Sequence, residues 1–241
     1  MQVSEEHSDW FLVFPIVGST PGGNGTYFRS ETTILNNLTR QQRVAVFYFP
    51  AGAGSCSAGT LKYLTLDSYS WYVYPDVVAN LFGTSGLGGM ILFAVDAFGN
   101  PDSTASLDGF SRIWTPVAGF AGTASQSFPP VIPNVINGYQ EAYGLRQDAG
   151  FRTNVGIFNY FPTGSLSARL FDVHIDGFTG ASADMTLSVP PCSLVLQPIP
   201  AGTFGNLIMS VTPRDGGSAW YGFGSSVDNI SGDNWSSTTR R

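Results

Sequence analysis

The sequence predicts an all-β protein made of two related antiparallel β-sandwich modules, jelly-roll-like and arising by internal duplication, with one short helix in the first. Three observations carry this expectation. Runs of β-branched and aromatic residues recur every 8 to 15 positions, punctuated by Gly, Pro, Asn and Asp clusters, which is the spacing of short strands in a sandwich or barrel. Long helical periodicity is missing. One phrase is written twice, FRSETTILNN at 28–37 and FRTNVGIFNY at 151–160, 123 residues apart.

Each element follows from its local pattern. In the first half WFLVFPIV, TTILNN, RVAVFYF, LKYLTL, SWYVY and GMILFAV read as strands; in the second, VGIFNY, SARLFDVHI, ADMTLSV, SLVLQPI, NLIMSV and SAWYGFG do. A short helix is expected at PDVVANLFG (75–83). There Pro75 suits the first helical position, Val77, Val78, Leu81 and Phe82 form one apolar face, and Gly83 ends it. PGGNG (21–25) and PAGAGSCSAG (50–59) are loops by composition, while Asp176-Gly177 and Asp215-Gly216-Gly217 sit where a turn between strands needs positive φ. FPPVIPN (128–134) has three prolines in seven positions and reads as a linker. The expected division is a first module at 10–128, a linker at 129–133 and a second module at 134–241. The halves align in one order: the repeated phrase, then RVAVFYF against SARLFDV, then GGMILFAV against GNLIMSV. In the last pair the offset falls to 117, because the second half lacks most of the helix.

This layout has a Pro- and Gly-rich entry, an aromatic-Arg-Ser/Thr-polar-x-x-apolar-apolar-Asn strand, a hairpin, PDVVANLFG ahead of a glycine and an apolar strand, and a closing VDNISGD (227–233). It resembles uncharacterised tandem β-sandwich repeat modules of predicted secreted proteins from environmental bacteria. The resemblance covers roughly residues 12 to 236 and implies a structural framework without a catalytic assignment. The second half departs from it by lacking the helix and by running into NWSSTTRR.

Composition narrows the setting. Charged residues make up 12% of the chain, against about 25% in an average soluble domain. With 29 Gly, 15 Pro, 26 Ser and 19 Thr, much of the surface is hydroxyl, amide and glycine. The 43% of hydrophobic residues supply enough apolar area to fold. A net charge of −6, with the single Lys62 and ten scattered arginines, offers no footprint for nucleic acid or for an anionic membrane surface. FLVFPIVG (11–18) is far short of the about 20 residues that span a bilayer, so no direct membrane insertion is expected. No secretory signal is visible in MQVSEEHSD, yet the low charge and scarce lysine favour a secreted or cell-surface protein whose signal has been removed. Cys56 and Cys192 fit no metal spacing; they form one bridge in an oxidising compartment or remain two thiols. Sequons at Asn24, Asn37, Asn229 and Asn234 are no more than so hydroxyl-rich a chain offers by chance.

Candidate sites fall into three groups. Arg29 and Arg152 open the repeated strands, and Asn36 and Asn159 close them; structural fixing of a module edge is the expected role, with a repeated anion or sugar site as the functional alternative. Aromatics cluster in YSWYVYP, where Tyr69 and Trp71 share one face and Tyr72 and Tyr74 the other, while Trp220 and Trp235 form a second group. Exposed, such rings stack on sugars or anchor protein interfaces. DVHID (172–176) aligns Asp172, His174 and Asp176 on one strand face at a spacing open to metal. DAFGNPD and VDNISGDN gather oxygens that suit calcium, with Asp96, Asp102, Asp228 and Asp233 as the possible ligands. Neither has the EF-hand spacing, so Asx turns are expected and no cofactor is required. A nucleophilic enzyme lacks its base, since only His7 and His174 are present, and GTSGLGG misses both the nucleophile-elbow and dinucleotide patterns.

The function expected is therefore that of a non-enzymatic extracellular structural or adhesive protein, a self-assembling surface or filament subunit whose partners are itself or other surface proteins. A carbohydrate-binding module using exposed aromatics is the alternative. A glycoside hydrolase with an unmarked carboxylate pair stands third.

Overall fold

The computed structural model describes residues 10–22, 25–117, 119, 121–131, 138–160, 167–217, 219–230, 232 and 234–238. Antiparallel strands dominate. The first half runs β1 (Phe11–Pro21), β2 (Tyr27–Asn36), β3 (Gln42–Pro50), β4 (Thr60–Leu66), β5 (Trp71–Tyr74), α1 (Val77–Phe82), β6 (Gly86–Val95), β7 (Leu107–Pro116) and β8 (Thr123–Ser127). The second runs β9 (Gln140–Gln147), β10 (Phe151–Asn159), β11 (Arg169–Gly177), β12 (Ser182–Val189), β13 (Ser193–Pro198), β14 (Gly205–Pro213), β15 (Trp220–Asp228) and β16 (Asn234–Thr238).

The halves share one topology. In the second, two four-stranded sheets have the orders β12-β11-β14-β9 and β13-β10-β15-β16. Subtracting eight from each strand gives β4-β3-β6-β1 and β5-β2-β7-β8, which are the pairings of the first half. The two layers are joined there because β1 is long: past an irregularity between Phe14 and Val17 it stays paired with β6 as far as Ser19, and from Ser19 to Pro21 it pairs with Arg29 to Tyr27 of β2. Internal duplication accounts for all eight correspondences. Register makes them residue-specific. Arg29 and Asn36 pair with Trp114 and Leu107, and Arg152 and Asn159 with Val227 and Trp220, so the opening strands coincide at the expected 123-residue offset.

Two finer alignments shift. Gln42 opposes Leu66 as Arg169 opposes Val189, which matches β3 to β11 at an offset of 127 rather than the 124 of RVAVFYF with SARLFDV. Likewise β6 matches β14 with Met90 on Met209, not Ile91 on Ile208. Side-chain direction is the reason: the inward Val44, Val46, Met90 and Leu92 must correspond to the inward Phe171, Val173, Met209 and Val211.

Local chemistry places the remaining pieces. Asp76, not Pro75, opens the helix: it is the N-cap and accepts from the Ala79 N–H at 3.1 Å while Ser19 Oγ donates to it at 2.7 Å, tying α1 to β1. Gly83 ends the helix at φ 68°, and Val77, Val78 and Phe82 are buried as its spacing requires. Between β13 and β14 the helix is replaced by a short connection in which buried Ile199 and Phe204 fill the same end of the sandwich. The β11–β12 hairpin turns at Gly180 (φ 85°); Gly177 is still strand with no positive φ, and glycine fits there because Phe204 packs where a side chain would be. Gly216 does turn with φ 64°. The proline segment is tied back on the first half, Val131 exchanging backbone hydrogen bonds with Val13 at 2.8 and 2.9 Å. Residues 132 and 133 of that segment lie outside the described residues.

Three apolar clusters result. One fills each sandwich, and the third lies between the halves, where the outer face of β3, β6 and β1 meets the outer face of β13, β10 and β15. Phe49 packs on Phe158 with ring centroids 6.3 Å apart, and Phe128 on Phe223 at 5.2 Å. Gly89 permits this approach: a Cβ there would lie 2.3 Å from the Phe158 ring. Cys56, exposed in a single 3₁₀ turn (Cys56–Ala58), forms a disulfide with buried Cys192, joining the halves across 136 residues.

Candidate functional site

A sheet exposes on one face the residues at alternate positions, so the outer face of β5-β2-β7-β8 can be read from the register. One row across it is Trp71, Leu35 and Asp108; the next is Val73, Thr33 and Phe110. Beyond these lie Glu31 beside Arg112, then Arg29 beside Trp114. Trp71 is 66% exposed, Val73 51% and Phe110 43%, an apolar patch on the outer face of the sheet. Glu31 holds Arg112 in a two-pronged pair at 3.2 Å. The Arg29 guanidinium sits over the rings of Tyr27 and Trp114, 4.9 and 5.7 Å from their centroids, and has no ion pair among the described residues. Asp108, at the other end of the face, accepts the Gly109 N–H and is likewise without an ion pair among the described residues.

The duplication shows what such a face does when covered. Through the matched registers, Trp71, Val73, Leu35 and Phe110 correspond to Leu194, Leu196, Phe158 and Phe223. Leu194, Phe158 and Phe223 are completely buried against the first half, with Leu196 packed beside them. The same face is apolar in both modules and covered in one.

No family model and no curated protein matches the chain. The site must therefore be read from its own geometry.

The aromatic candidates separate. Trp71 is the outward ring on β5; Tyr69 is not on that strand but in the preceding turn, at φ 48° and 63% exposed. Tyr72 and Tyr74 point the other way, and half-buried Tyr74 packs on the first core, where desolvation raises its phenol pKa. Trp220 cannot stack on a ligand, for it is fully buried against Phe171 in the second core. Trp235 is half-buried, its indole N–H donating to Gly144 O at 2.8 Å and its ring edge-on to Phe151. Strand alternation separated Trp71 from Tyr72 and Tyr74 without showing which face lies outward; Leu35 and Phe110 escaped notice because cross-strand register is invisible in one sequence.

The repeated polar residues have structural roles. Asn36 Nδ2 donates to Arg40, Leu66 and Asp67 carbonyls, and Asn159 Nδ2 to Val189 and Pro190, so both hold the end of the fourth strand of their module. Arg152 donates to Asn229 Oδ1 at 2.7 Å within its own half, while Arg29 stacks on Tyr27 and Trp114 within its own. Arg152 also lines a cleft of about 250 Å³ between the halves, with Asn154, Phe28, Leu196 and Gln126. The Gln126 Nε2 is buried there without a hydrogen-bond partner among the described residues.

The acidic candidates are engaged locally. Asp96 accepts from the Phe98 and Asn100 N–H groups, an Asx turn. Asp102 binds Thr104 and Arg40, which hold its carboxyl down at about 2. Asp228 accepts from the Ile230 N–H at 2.7 Å, and Asp233 lies outside the described residues. In DVHID, Arg214 takes Asp172 at 2.7 Å, and His174 places Nδ1 2.7 Å from Asp184 and Nε2 3.1 Å from Asp176. The Asp184 hydrogen bond, supported by both carboxylate charges, raises the His174 pKa. His174–Asp184 spans two strands and His174–Asp176 lies along one, and among the described residues no group of three or more His, Cys, Asp or Glu is placed to hold a metal ion.

Proposed function

We propose that the chain is a non-enzymatic extracellular structural or adhesive β protein that acts by presenting the β5-β2-β7 face to a protein surface. One observation carries this reading. The patch of Trp71, Val73, Leu35 and Phe110 stands open, while its counterpart in the second module is buried under protein. Unspecialised solvent-facing positions drift toward polar residues, and an apolar sheet face kept in both copies fits a surface meant to be covered. The Cys56–Cys192 bridge supports an oxidising location. A second reading, carbohydrate binding, is favoured by the exposure of the Trp71 ring.

The two separate in one experiment. The chain and its Trp71→Ala variant are applied to glycan and polysaccharide arrays, and their particle mass is followed by light scattering. The protein-face reading expects association beyond 25.7 kDa, weakened by the substitution, and no saturable glycan signal. A strict monomer with glycan binding that disappears in Trp71→Ala overturns it.

A further inference from the structure

We infer that the β5-β2-β7 face binds a second copy of this chain through a two-fold axis, a refinement that rests on the protein-face reading above. Topology first limits which surfaces could meet. Between the modules, the counterpart of this face in the second module (β13-β10-β15) is covered by the outer β3-β6 face of the first, which bears Phe47, Phe49 and Phe93. In the second module those positions are His174, Asp176 and Thr212, and the surface is an ion-paired polar one. The aromatic version in the first module is already occupied and secured by the Cys56–Cys192 bridge. Head-to-tail stacking therefore lacks a matching partner face, and a polar terminal surface is how repeat arrays stop growing. The face that remains is matched to itself.

Its charges show how. Arg29 and the Asp108 row lie six residues apart along β2, about 20 Å at strand rise, with the midpoint at Thr32. Each carries a charge without an ion pair among the described residues. A two-fold axis lying in the face and crossing the strands at that midpoint reverses strand direction. It sets Arg29 of one copy over Leu35 of the other, one strand spacing of about 4.8 Å from Asp108, twice, and the Trp71–Leu35 row over the Arg29–Trp114 row. Opposite charges are then neighbours at both ends, with apolar and cation–π contact between them. Three strands by six residues cover a footprint of about 300 Å² per partner, which belongs to the weak, concentration-dependent class of interface.

Sedimentation velocity of the full oxidised chain, at low salt and up to about 500 µM, tests the arrangement. A monomer–dimer equilibrium is expected, with Arg29→Asp and Asp108→Arg each weakening it by about tenfold or more and the double reversal restoring it to within about threefold. Thermal melts of each variant show whether the fold is intact. A chain that stays monomeric throughout overturns the proposal. So does association that is indifferent to both reversals; if that association is still lost in Trp71→Asp, only the two-fold geometry fails and the protein-face reading stands. Monomeric protein with Trp71-dependent glycan binding sinks both.

Discussion

Asn36 and Asn159 hold equivalent positions and do the same work. Each ends the repeated strand with a buried amide that caps backbone carbonyls at the close of β4 or β12. Asn36 is the better satisfied, with 2.8 Å bonds to Arg40 O and Asp67 O and its own Oδ1 accepting from the Leu38 N–H. Truncation leaves these main-chain groups without a partner away from water. Asn36→Ala should therefore cost about 2–3 kcal/mol, and Asn159→Ala less, because its bonds are longer. Urea midpoints of the two variants check the order; equal or negligible losses would contradict it. Both asparagines were legible in the sequence as strand-ending residues, since the phrase repeats them. Their partners were not, because they lie 30 and 31 residues away across a sheet.

Among the elements, strands were easy to read and their relative positions were not. Aromatic and β-branched runs marked most of the strands, and the helix appeared where its apolar face and Gly83 placed it. The alignment of β3 with β11 slipped because sequence likeness put Phe47 on Phe171, which point to opposite faces; the β10–β11 connection is four residues longer than β2–β3, and a single sequence does not announce that. Trp220 was misjudged for a related reason, as a strand covered on both faces shows no alternation. The contact between sheets depends on one small residue. Gly89→Val would drive a side chain into the Phe158 ring and should destabilise the chain by about 1–3 kcal/mol, read from its denaturant midpoint. An unchanged midpoint would show that the modules tolerate separation at β6.

The whole molecule is two copies of one sandwich set at different tasks. The shared topology left a weak trace in sequence, three aligned phrases, whereas the asymmetry between the copies is written in single substitutions such as Phe47 to His174. Which faces are buried follows from how the copies meet, and only the three-dimensional arrangement supplies that. Under applied tension the disulfide has a further consequence. Tension applied at the two ends reaches Cys56 and Cys192, whose Cα atoms are 4.8 Å apart, and passes from one to the other without entering the 136-residue span between them. That span includes β4 to β12 and cannot be drawn out while the bridge is intact. In a single-molecule stretching experiment, reduction should add about 480 Å of extensible contour at full extension. Oxidised, the chain gives way only in its outer strands; the bridge sets how far it yields before a covalent bond takes the load.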